Sequence, residues 1–296
     1  MITGAQGQLG RCLYRCIADA GEFEATFLSR DELDIASADR VHDAVNEYKP
    51  DLLVNAAAYT AVDRAEDEAE KAFAVNAQGT QHLAQACAQI AIPMIHVSTD
   101  YVFDGSATEP YLPDSSTSPI GVYGESKREG EKLAQAELDQ LVVLRTAWVY
   151  SEYGSNFVKT MLRLAADRDQ LAVVNDQIGC PTYAGNIAFA ILQICRTIRE
   201  GKKPWGVYHY VDEPVMSWHQ FAELVFSVAK EGYLIEKSPV VKPIPSSEYP
   251  TKAKRPAYSV LDSQSFQQKF GVVPANVRES LAVVTERIAE TAGDPN

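Results

Sequence analysis

A tyrosine and a lysine four residues apart, in the segment Tyr123-Gly-Glu-Ser-Lys127, are the side chains of this sequence best suited to proton transfer. On a helix this spacing places both side chains on one face. An ammonium group close to a phenol favours the phenolate, so we expect Lys127 to lower the pKa of Tyr123 below its usual value of about 10. The pair predicts a proton donor matched to neutral pH.

A run of hydroxyl groups follows an apolar stretch upstream, in His96-Val-Ser98-Thr99-Asp100-Tyr101. Open α/β sheets bind their ligands at the carboxyl ends of their strands. We expect the Thr99 hydroxyl to hydrogen-bond the substrate oxygen that Tyr123 protonates. Thr99, Tyr123 and Lys127 are therefore the predicted catalytic residues.

A glycine-rich loop, Gly4-Ala-Gln-Gly7-Gln-Leu-Gly10, follows Met1-Ile2-Thr3 and opens a helical pattern. Glycines let a chain turn tightly against a pyrophosphate, and the N–H groups of the helix start can bind the phosphate charge. The loop predicts dinucleotide binding. Because only three residues precede Gly4, whereas a strand usually has about five, we expect the first strand to be short or truncated.

The residues after the second predicted strand, Leu28-Ser29-Arg30-Asp31, bear on the choice of cofactor. A basic residue at this point accommodates the NADP 2′-phosphate, and an acidic one binds the NAD ribose. Arg30 favours NADPH, and Asp31 beside it leaves NADH open. Asp34-Ile35 then lies where adenine can be contacted, and the small residues of Asn55-Ala-Ala-Ala58-Tyr-Thr60 would admit a cofactor.

Short apolar runs alternate with amphipathic helical patterns through the first half of the chain. The predicted strands are 25–28, 52–56, 94–97 and 142–144, and the predicted helices are 10–19, 38–48, 69–89 and 126–137. Buried strands that alternate with helices are typical of βαβ crossovers. The fold class is therefore α/β: a doubly wound parallel (Rossmann) sheet over residues 1–147.

The second half, residues 148–296, is less regular and predicts a smaller, interleaved substrate-binding lobe. Helices are expected near 157–166, at 186–199 and at 277–291, with a proline-rich stretch at 239–256. Residues 171–174 and 207–211 have the pattern of strands, so we expect the main sheet to continue through them.

Composition excludes several classes of protein. A net charge of −13 without a basic run argues against nucleic acid, and there is no apolar run of about 20 residues to span a membrane. The five cysteines are scattered, without metal-ligand spacing, so neither disulfides nor a metal site are expected. A cytoplasmic protein is expected, as a monomer or a homodimer.

Several segments together resemble the dTDP-4-dehydrorhamnose reductase family of the short-chain dehydrogenase/reductase superfamily. They are Ser98-Thr-Asp-Tyr-Val-Phe-Asp-Gly105, Tyr123-Gly-Glu-Ser-Lys127, Arg145-Thr-Ala-Trp-Val-Tyr150, Asn156-Phe-Val-Lys-Thr-Met161, Asn175-Asp-Gln-Ile-Gly-Cys-Pro-Thr182 and Arg255-Pro256. The resemblance implies reduction of the C4 keto group of dTDP-4-dehydro-6-deoxy-L-mannose to dTDP-L-rhamnose, with Tyr123 as general acid.

The same resemblance implies the positions of the ligands. Around the cofactor it implies, besides Tyr123 and Lys127, Gly7, Gln8, Leu9, Asp34, Ile35, Ala58, Tyr59 and Thr60. The glycine loop and the end of the second strand add Gly4, Gly10 and Arg30 to the predicted cofactor site. Around the dTDP-linked keto-sugar it implies Thr99, Asp100 and Trp148, and Arg255 is our choice among nearby cations for the diphosphate.

Three alternatives remain open. Nucleotide-sugar dehydratases usually have Asp-Glu after the strand-end threonine, whereas Tyr101 follows Asp100 in this chain. A C4-epimerase would have to rotate a keto intermediate within its site. A cofactor-binding regulatory subunit, similar to the beta subunit of methionine adenosyltransferase, would bind the cofactor and leave the sugar unchanged.

Overall fold

The computed structural model describes residues 1–292 and contains short strands alternating with helices. The strands are β1 (Ile2–Thr3), β2 (Phe27–Leu28), β3 (Leu53–Asn55), β4 (Met94–Thr99), β5 (Leu141–Thr146), β6 (Val149–Tyr150), β7 (Gln170–Val174), β8 (Ile178–Gly179), β9 (Thr182–Tyr183), β10 (Gly206–His209), β11 (Met216–Ser217) and β12 (Val240–Ile244).

The helices connect these strands and cover both faces of the main sheet. They are α1 (Gln8–Ala20), α2 (Ala38–Tyr48), α3 (Val62–Ala65), α4 (Ala69–Phe73), α5 (Gly79–Gln89), α6 (Val122–Glu137), α7 (Phe157–Asp167), α8 (Ala184–Arg199), α9 (Trp218–Glu231), α10 (Gln264–Phe270) and α11 (Val277–Ala292). A π-helical turn, Ala74–Gln78, joins α4 to α5.

The main sheet is parallel and has six strands in the order β10-β5-β4-β3-β1-β2. β4 and β5 lie inside the sheet, and nearly every side chain of both is buried, including polar ones near their carboxyl ends. Helices α1 and α8 pack together on one face and α2, α5 and α6 on the other. The predicted doubly wound α/β fold is confirmed.

Of the two strands predicted beyond residue 147, one belongs to the main sheet and the other does not. β10 pairs with β5 from Gly206 to His209, so the expectation that residues 207–211 extend the main sheet is confirmed. The expectation that residues 171–174 do so is wrong, because β7 pairs instead with β12 in a separate two-stranded sheet. β12 lies within the stretch predicted only as proline-rich. A domain boundary at residue 147 stays a prediction.

Helix α9, which the sequence analysis does not predict, closes one side of the second lobe. It begins with a capping box, in which the Ser217 hydroxyl accepts from the Gln220 backbone and the Gln220 side chain accepts from the Ser217 backbone. Its buried face, which includes Phe221 and Val225, joins the large core that also contains α8. The first residue of α9, Trp218, is thereby fixed at the edge of the main sheet's ligand cleft.

Within residues 1–292, no helix is long and apolar enough to cross a membrane. Over the same residues, no group of three or more His, Cys, Asp or Glu side chains is placed to hold a metal ion.

Candidate active site

A cleft of about 810 Å³ opens at the carboxyl ends of the main-sheet strands. It brings together nearly all of the residues predicted from the sequence to bind a ligand or to act in catalysis. Those that line it are Gly4, Gly7, Gln8, Leu9, Arg30, Asp34, Ile35, Ala58, Tyr59, Thr60, Thr99, Asp100, Tyr123, Lys127, Trp148 and Arg255. Gly10 is the member of the predicted set that does not line the cleft.

The glycine loop is folded tightly onto the end of β3. Gly4 has a φ of 74°, and a Cβ atom there would lie 2.7 Å from the Ala56 carbonyl group. Gly10 is buried, and its Cβ would lie 2.3 Å from the Gly4 carbonyl oxygen, so its absence of a side chain serves packing beneath the loop. Gly7 precedes α1 and provides no side-chain cap, which leaves the N–H groups of the helix start free for an anion.

The part of the cleft that follows β2 has an exposed, charged rim and a buried apolar residue further in. Arg30 and Asp31 are exposed after β2, whereas Ile35 is buried. The Asp34 carboxylate accepts from the Ala36 N–H at 3.1 Å and stabilises its own turn. Arg30 is therefore a freely oriented cation at the rim, in the position expected for contact with a 2′-phosphate.

The three predicted catalytic residues meet where β4 ends and α6 begins. Thr99 is the last residue of β4, and its hydroxyl donates to the Asp100 carboxylate at 2.9 Å. Tyr123 and Lys127 lie one turn apart on α6. The Lys127 Nζ donates to the Val97 carbonyl oxygen at 2.8 Å, which fixes the side chain behind the cleft.

The expected lowering of the Tyr123 pKa is wrong for this structure. Burial raises the pKa of Tyr123 well above its ordinary value, and the charge of Asp100 adds to the rise, whereas a hydrogen bond with Thr99 opposes it. Lys127 does not reverse the shift, because its Nζ is hydrogen-bonded to β4 rather than to the phenol. Tyr123 consequently remains a protonated phenol at neutral pH, which is the form that a proton donor needs.

Lys127 and Asp100 titrate nearer to neutrality. Burial lowers the pKa of Lys127 to about 8, against the opposing charge of Glu131. Burial raises the pKa of Asp100 to about 6, against hydrogen bonds from Thr99 and Ser259. Perturbed groups of this kind that converge on a cleft are typical of a catalytic site.

The opposite wall of the cleft is aromatic on one side and cationic on the other. Trp148 and Trp218 line it together, stacked with their ring centroids 3.5 Å apart. Arg255 pairs with Asp63 at 2.7 Å and donates to the Tyr101 hydroxyl at 3.2 Å. The cleft therefore offers an aromatic surface and a cation beyond the catalytic residues.

Comparison with known proteins decides the family. Residues 1–290 match the model described as the RmlD substrate binding domain. A dTDP-4-dehydrorhamnose reductase of Aggregatibacter actinomycetemcomitans is 46% identical over 282 residues, which cover 95% of this chain and 96% of the relative. The chain belongs to the dTDP-4-dehydrorhamnose reductase family.

Solved structures of the dTDP-4-dehydrorhamnose reductase family agree. The Bacillus anthracis enzyme, in complex with NADP, is 33% identical with a TM-score of 0.89, and the match covers 97% of this chain and 98% of that chain. A UDP-glucose 4-epimerase of Thermus thermophilus, in complex with NAD, has a TM-score of 0.80 at 19% identity, covering 97% and 98% of the two chains. The latter likeness shows the shared fold alone.

Among the residues that sequence reasoning missed in this member of the dTDP-4-dehydrorhamnose reductase family are two aromatic residues that line the cleft and one amide that supports it. Tyr101 packs edge to face on Tyr123, with ring centroids 5.4 Å apart. Asn76 bonds the Tyr59 backbone in both directions and donates to Ser126, which ties the loop after β3 to α6. The third is Trp218. Asn76 lies in the π-helical turn, a feature often found at functional sites but without a sequence signal of its own.

Proposed function

We propose that this chain reduces the C4 keto group of dTDP-4-dehydro-6-deoxy-L-mannose with NADPH and forms dTDP-L-rhamnose. The observation that carries the proposal is the meeting of Thr99, Tyr123 and Lys127 at one end of a cleft that begins at the glycine loop. Relatives at 46% and 43% identity are named dTDP-4-dehydrorhamnose reductase.

The residues of the cleft fit a dinucleotide. A side chain at Gly4 would collide with the Ala56 backbone, and α1 starts without a side-chain cap, so the loop leaves backbone N–H groups available to a pyrophosphate. The exposed guanidinium of Arg30 favours NADPH, and Asp31 beside it leaves room for NADH as a second cofactor. When bound, NADPH supplies the hydride that reaches C4.

Tyr123 performs the proton transfer. Its phenol is protonated at neutral pH, so it can donate a proton to the carbonyl oxygen as hydride arrives at the carbon. The Thr99 hydroxyl lies beside it and would turn from the Asp100 carboxylate to donate to the same oxygen. Lys127 would hold the ribose of the cofactor. The Lys127 charge also stabilises the phenolate that remains after proton transfer.

The sugar nucleotide is bound by the far wall of the cleft. Trp148 contacts the sugar, Asp100 binds a sugar hydroxyl through its carboxylate, and the Arg255 guanidinium neutralises the diphosphate. Arg255 already pairs with Asp63, so the diphosphate competes with an exposed carboxylate for it. We propose a monomer or a homodimer as the assembly. The five free cysteines suit the reducing cytoplasm, which we propose as the compartment.

The test is oxidation of NADPH and of NADH, followed at 340 nm with purified protein and the keto-sugar nucleotide. Formation of dTDP-L-rhamnose is expected, with NADPH preferred. Tyr123→Phe should lower kcat by about 100-fold or more, because the proton donor is lost, while NADPH binding is kept. Tyr48→Phe, a change on the exposed end of α2, is the matched control.

A regulatory subunit is the competing function. Such a protein would bind NADPH and leave the sugar nucleotide unreduced. Folded, cofactor-bound protein without turnover would support that alternative and contradict the reductase assignment.

A further inference from the structure

A buried chain of hydrogen bonds runs behind the catalytic face from Asn55 through His96 to Lys127. Asn55 at the end of β3 and His96 in β4 are paired in register, and both are fully buried. The Asn55 Nδ2 lies 3.1 Å from the His96 Nδ1, and the His96 Nε2 lies 3.3 Å from the Lys127 Nζ. The proposed reaction gives His96 no role, yet its ring contacts one of the three catalytic residues.

The orientation of the Asn55 amide is fixed by its other partners. Its Oδ1 accepts from the Thr3 hydroxyl at 2.8 Å and from the Ala57 backbone N–H at 3.1 Å. A backbone N–H can only donate, so the amide oxygen must lie on that side. The amide NH₂ group therefore points toward His96.

This orientation selects the tautomer of His96. Burial, with the charge of Lys127 adding to it, lowers the pKa of His96 well below 6.5, so the ring is neutral and carries one proton. Since the Asn55 NH₂ donates toward Nδ1, that nitrogen must be the acceptor. The ring proton consequently lies on Nε2, the nitrogen that faces Lys127.

An N–H directed at Lys127 disfavours an ammonium ion. The ammonium has three donors and no acceptor, whereas a neutral amine has a lone pair that can accept from Nε2–H. The Val97 carbonyl accepts from Nζ in either state, at 2.8 Å. The local geometry thus acts in the same direction as burial, which brings the pKa of Lys127 to about 8.

Other ionisable groups near Lys127 are either paired or opposed in sign. Glu131, one turn along α6, favours the ammonium, but its carboxylate is engaged by Arg145 of β5 at 2.7 Å. The other ionisable side chains on the elements packed against α6 make no hydrogen bond to Nζ within residues 1–292. They are Asp63, Arg64, Glu66, Glu70, Lys71, His82, Asp100 and Tyr101. His96 is the ionisable side chain in hydrogen-bonding distance of Nζ among residues 1–292.

We propose that His96 is a positioning residue of this site: held in one tautomer by Asn55, it turns an N–H toward Lys127 and sets the charge that Lys127 carries beside the cofactor. The inference rests on the proposed function for its meaning, because Lys127 must hold the ribose and stabilise the phenolate. Cofactor binding and turnover should both weaken on the alkaline side as Lys127 loses its proton.

The tautomer can be measured without any turnover. Nitrogen NMR of the full chain labelled with ¹⁵N-histidine reports which ring nitrogen is protonated, and His96→Gln identifies the signal among the five histidines. The expected result is a neutral ring with its proton on Nε2 from about pH 6 to pH 9. A proton on Nδ1, or an imidazolium ion, would overturn the proposal whatever the protein's substrate proves to be.

Two variants test the effect on Lys127 by independent routes. Asn55→Asp keeps the acceptor for Thr3 and Ala57 but replaces the NH₂ with a second acceptor, which moves the ring proton to Nδ1. His96→Gln can rotate its amide oxygen toward Lys127 without adding a charge. Both should shift the alkaline limb of NADPH binding and of kcat upward, by about one unit or more.

Thr80→Val is the matched control. Thr80 is the second partner of the Asn55 NH₂ group, at 3.5 Å, and its loss leaves the tautomer unchanged. In Thr80→Val, the alkaline limbs of NADPH binding and of kcat should lie at the same pH as in the parent protein. If Asn55→Asp and His96→Gln lower kcat while both limbs stay in place, His96 serves packing alone and the proposal is wrong.

Discussion

The indole rings of Trp148 and Trp218 lie parallel, with centroids 3.5 Å apart and an interplanar angle of 5°. Trp148 follows β5 with a φ of 47°, in the left-handed region that a bulky residue rarely adopts. Gly179 makes room for the ring, since a Cβ there would lie 2.4 Å from the Trp148 Cε2 atom. The first turn of α9 and a glycine of β8 thus hold a strained residue against the cleft.

Replacing Trp218 with leucine should loosen Trp148 without touching the proton donor. The stack contributes about 0.5–1.5 kcal/mol, so the KM for the sugar nucleotide should rise about 3- to 10-fold. Because the KM for NADPH and kcat depend on other residues, both should change little. Steady-state kinetics with each substrate varied in turn would measure this split.

The control for this change is Trp205→Phe, at the tryptophan that packs against the main core and does not line the cleft. It should leave the KM for the sugar nucleotide unchanged. An equal rise of KM for both substrates in Trp218→Leu would mean that α9 has shifted as a whole, and would contradict a local role for the stack.

Arg30→Gln should weaken the binding of NADPH and leave the binding of NADH unchanged. Charge-assisted bonds to a phosphate contribute about 1.5–3 kcal/mol, so the KM for NADPH should rise about 10-fold or more, while the KM for NADH stays constant. Initial rates at 340 nm with each cofactor would measure the ratio.

Asp31→Asn is the variant of opposite sign at the same rim. Removing a carboxylate beside the 2′-phosphate should lower the KM for NADPH or leave it unchanged. If Arg30→Gln raised the KM for NADPH and for NADH equally, Arg30 would support the loop rather than bind the phosphate.

The sequence predicts the main sheet and the residues that line its cleft well, because both have local signals. Strands buried on both faces are mainly apolar, and glycine, hydroxyl and tyrosine-lysine patterns occupy the ends that face the cleft. The partner of a two-stranded ladder has no such signal. β7 is as apolar as a main-sheet strand, and its pairing with β12 depends on contacts far away in the chain.

The sequence does not predict the charge states of the site residues, for a similar reason. The spacing of Tyr123 and Lys127 is local, but the pKa of Tyr123 depends on how deeply the fold buries the phenol and on where Nζ finds an acceptor. The close packing of Gly10 beneath the loop likewise depends on the fold, and its predicted part in cofactor binding stays a prediction.

Gly10→Ala should therefore damage the loop through packing. The added Cβ would lie 2.3 Å from the Gly4 carbonyl oxygen and 2.7 Å from that of Ala5, and both are backbone atoms. We expect a loss of about 1–3 kcal/mol in the free energy of unfolding and an NADPH dissociation constant raised about 10-fold. Urea unfolding and cofactor fluorescence measure the two effects.

Gly21→Ala separates this effect from a general cost of losing glycine. Gly21 ends α1 with a φ of 62° and no atom within 4 Å of the added Cβ. It should cost about 1–2 kcal/mol of stability through its left-handed backbone while NADPH binding stays intact. Equal NADPH affinities for the two variants would contradict the packing role assigned to Gly10.

Asp100→Asn should make the protein less sensitive to pH in its stability. Burial raises the pKa of Asp100 from 3.8 in the unfolded chain to about 6 in the folded protein. The stabilisation that the protonated Asp100 contributes is therefore fully present below the unfolded pKa and is lost as pH rises through the folded pKa. The parent protein should lose about 3 kcal/mol from this group between about pH 4 and pH 7. Urea unfolding at about pH 4 and pH 8 should show that difference shrink in the variant, with turnover reduced.

The difference should not vanish, because burial also raises the pKa of Asp212 to about 6. Asp104→Asn should change the pH dependence of stability in the opposite direction. Hydrogen bonds from Ser106 and Tyr111 lower the pKa of Asp104, so the stabilisation from its carboxylate is present at neutral pH and lost in acid. Its replacement should lower stability more at about pH 8 than at about pH 4. If Asp100→Asn instead lowered the free energy of unfolding equally at both pH values, the charge of Asp100 would not affect the stability of the fold. That result would contradict the prediction.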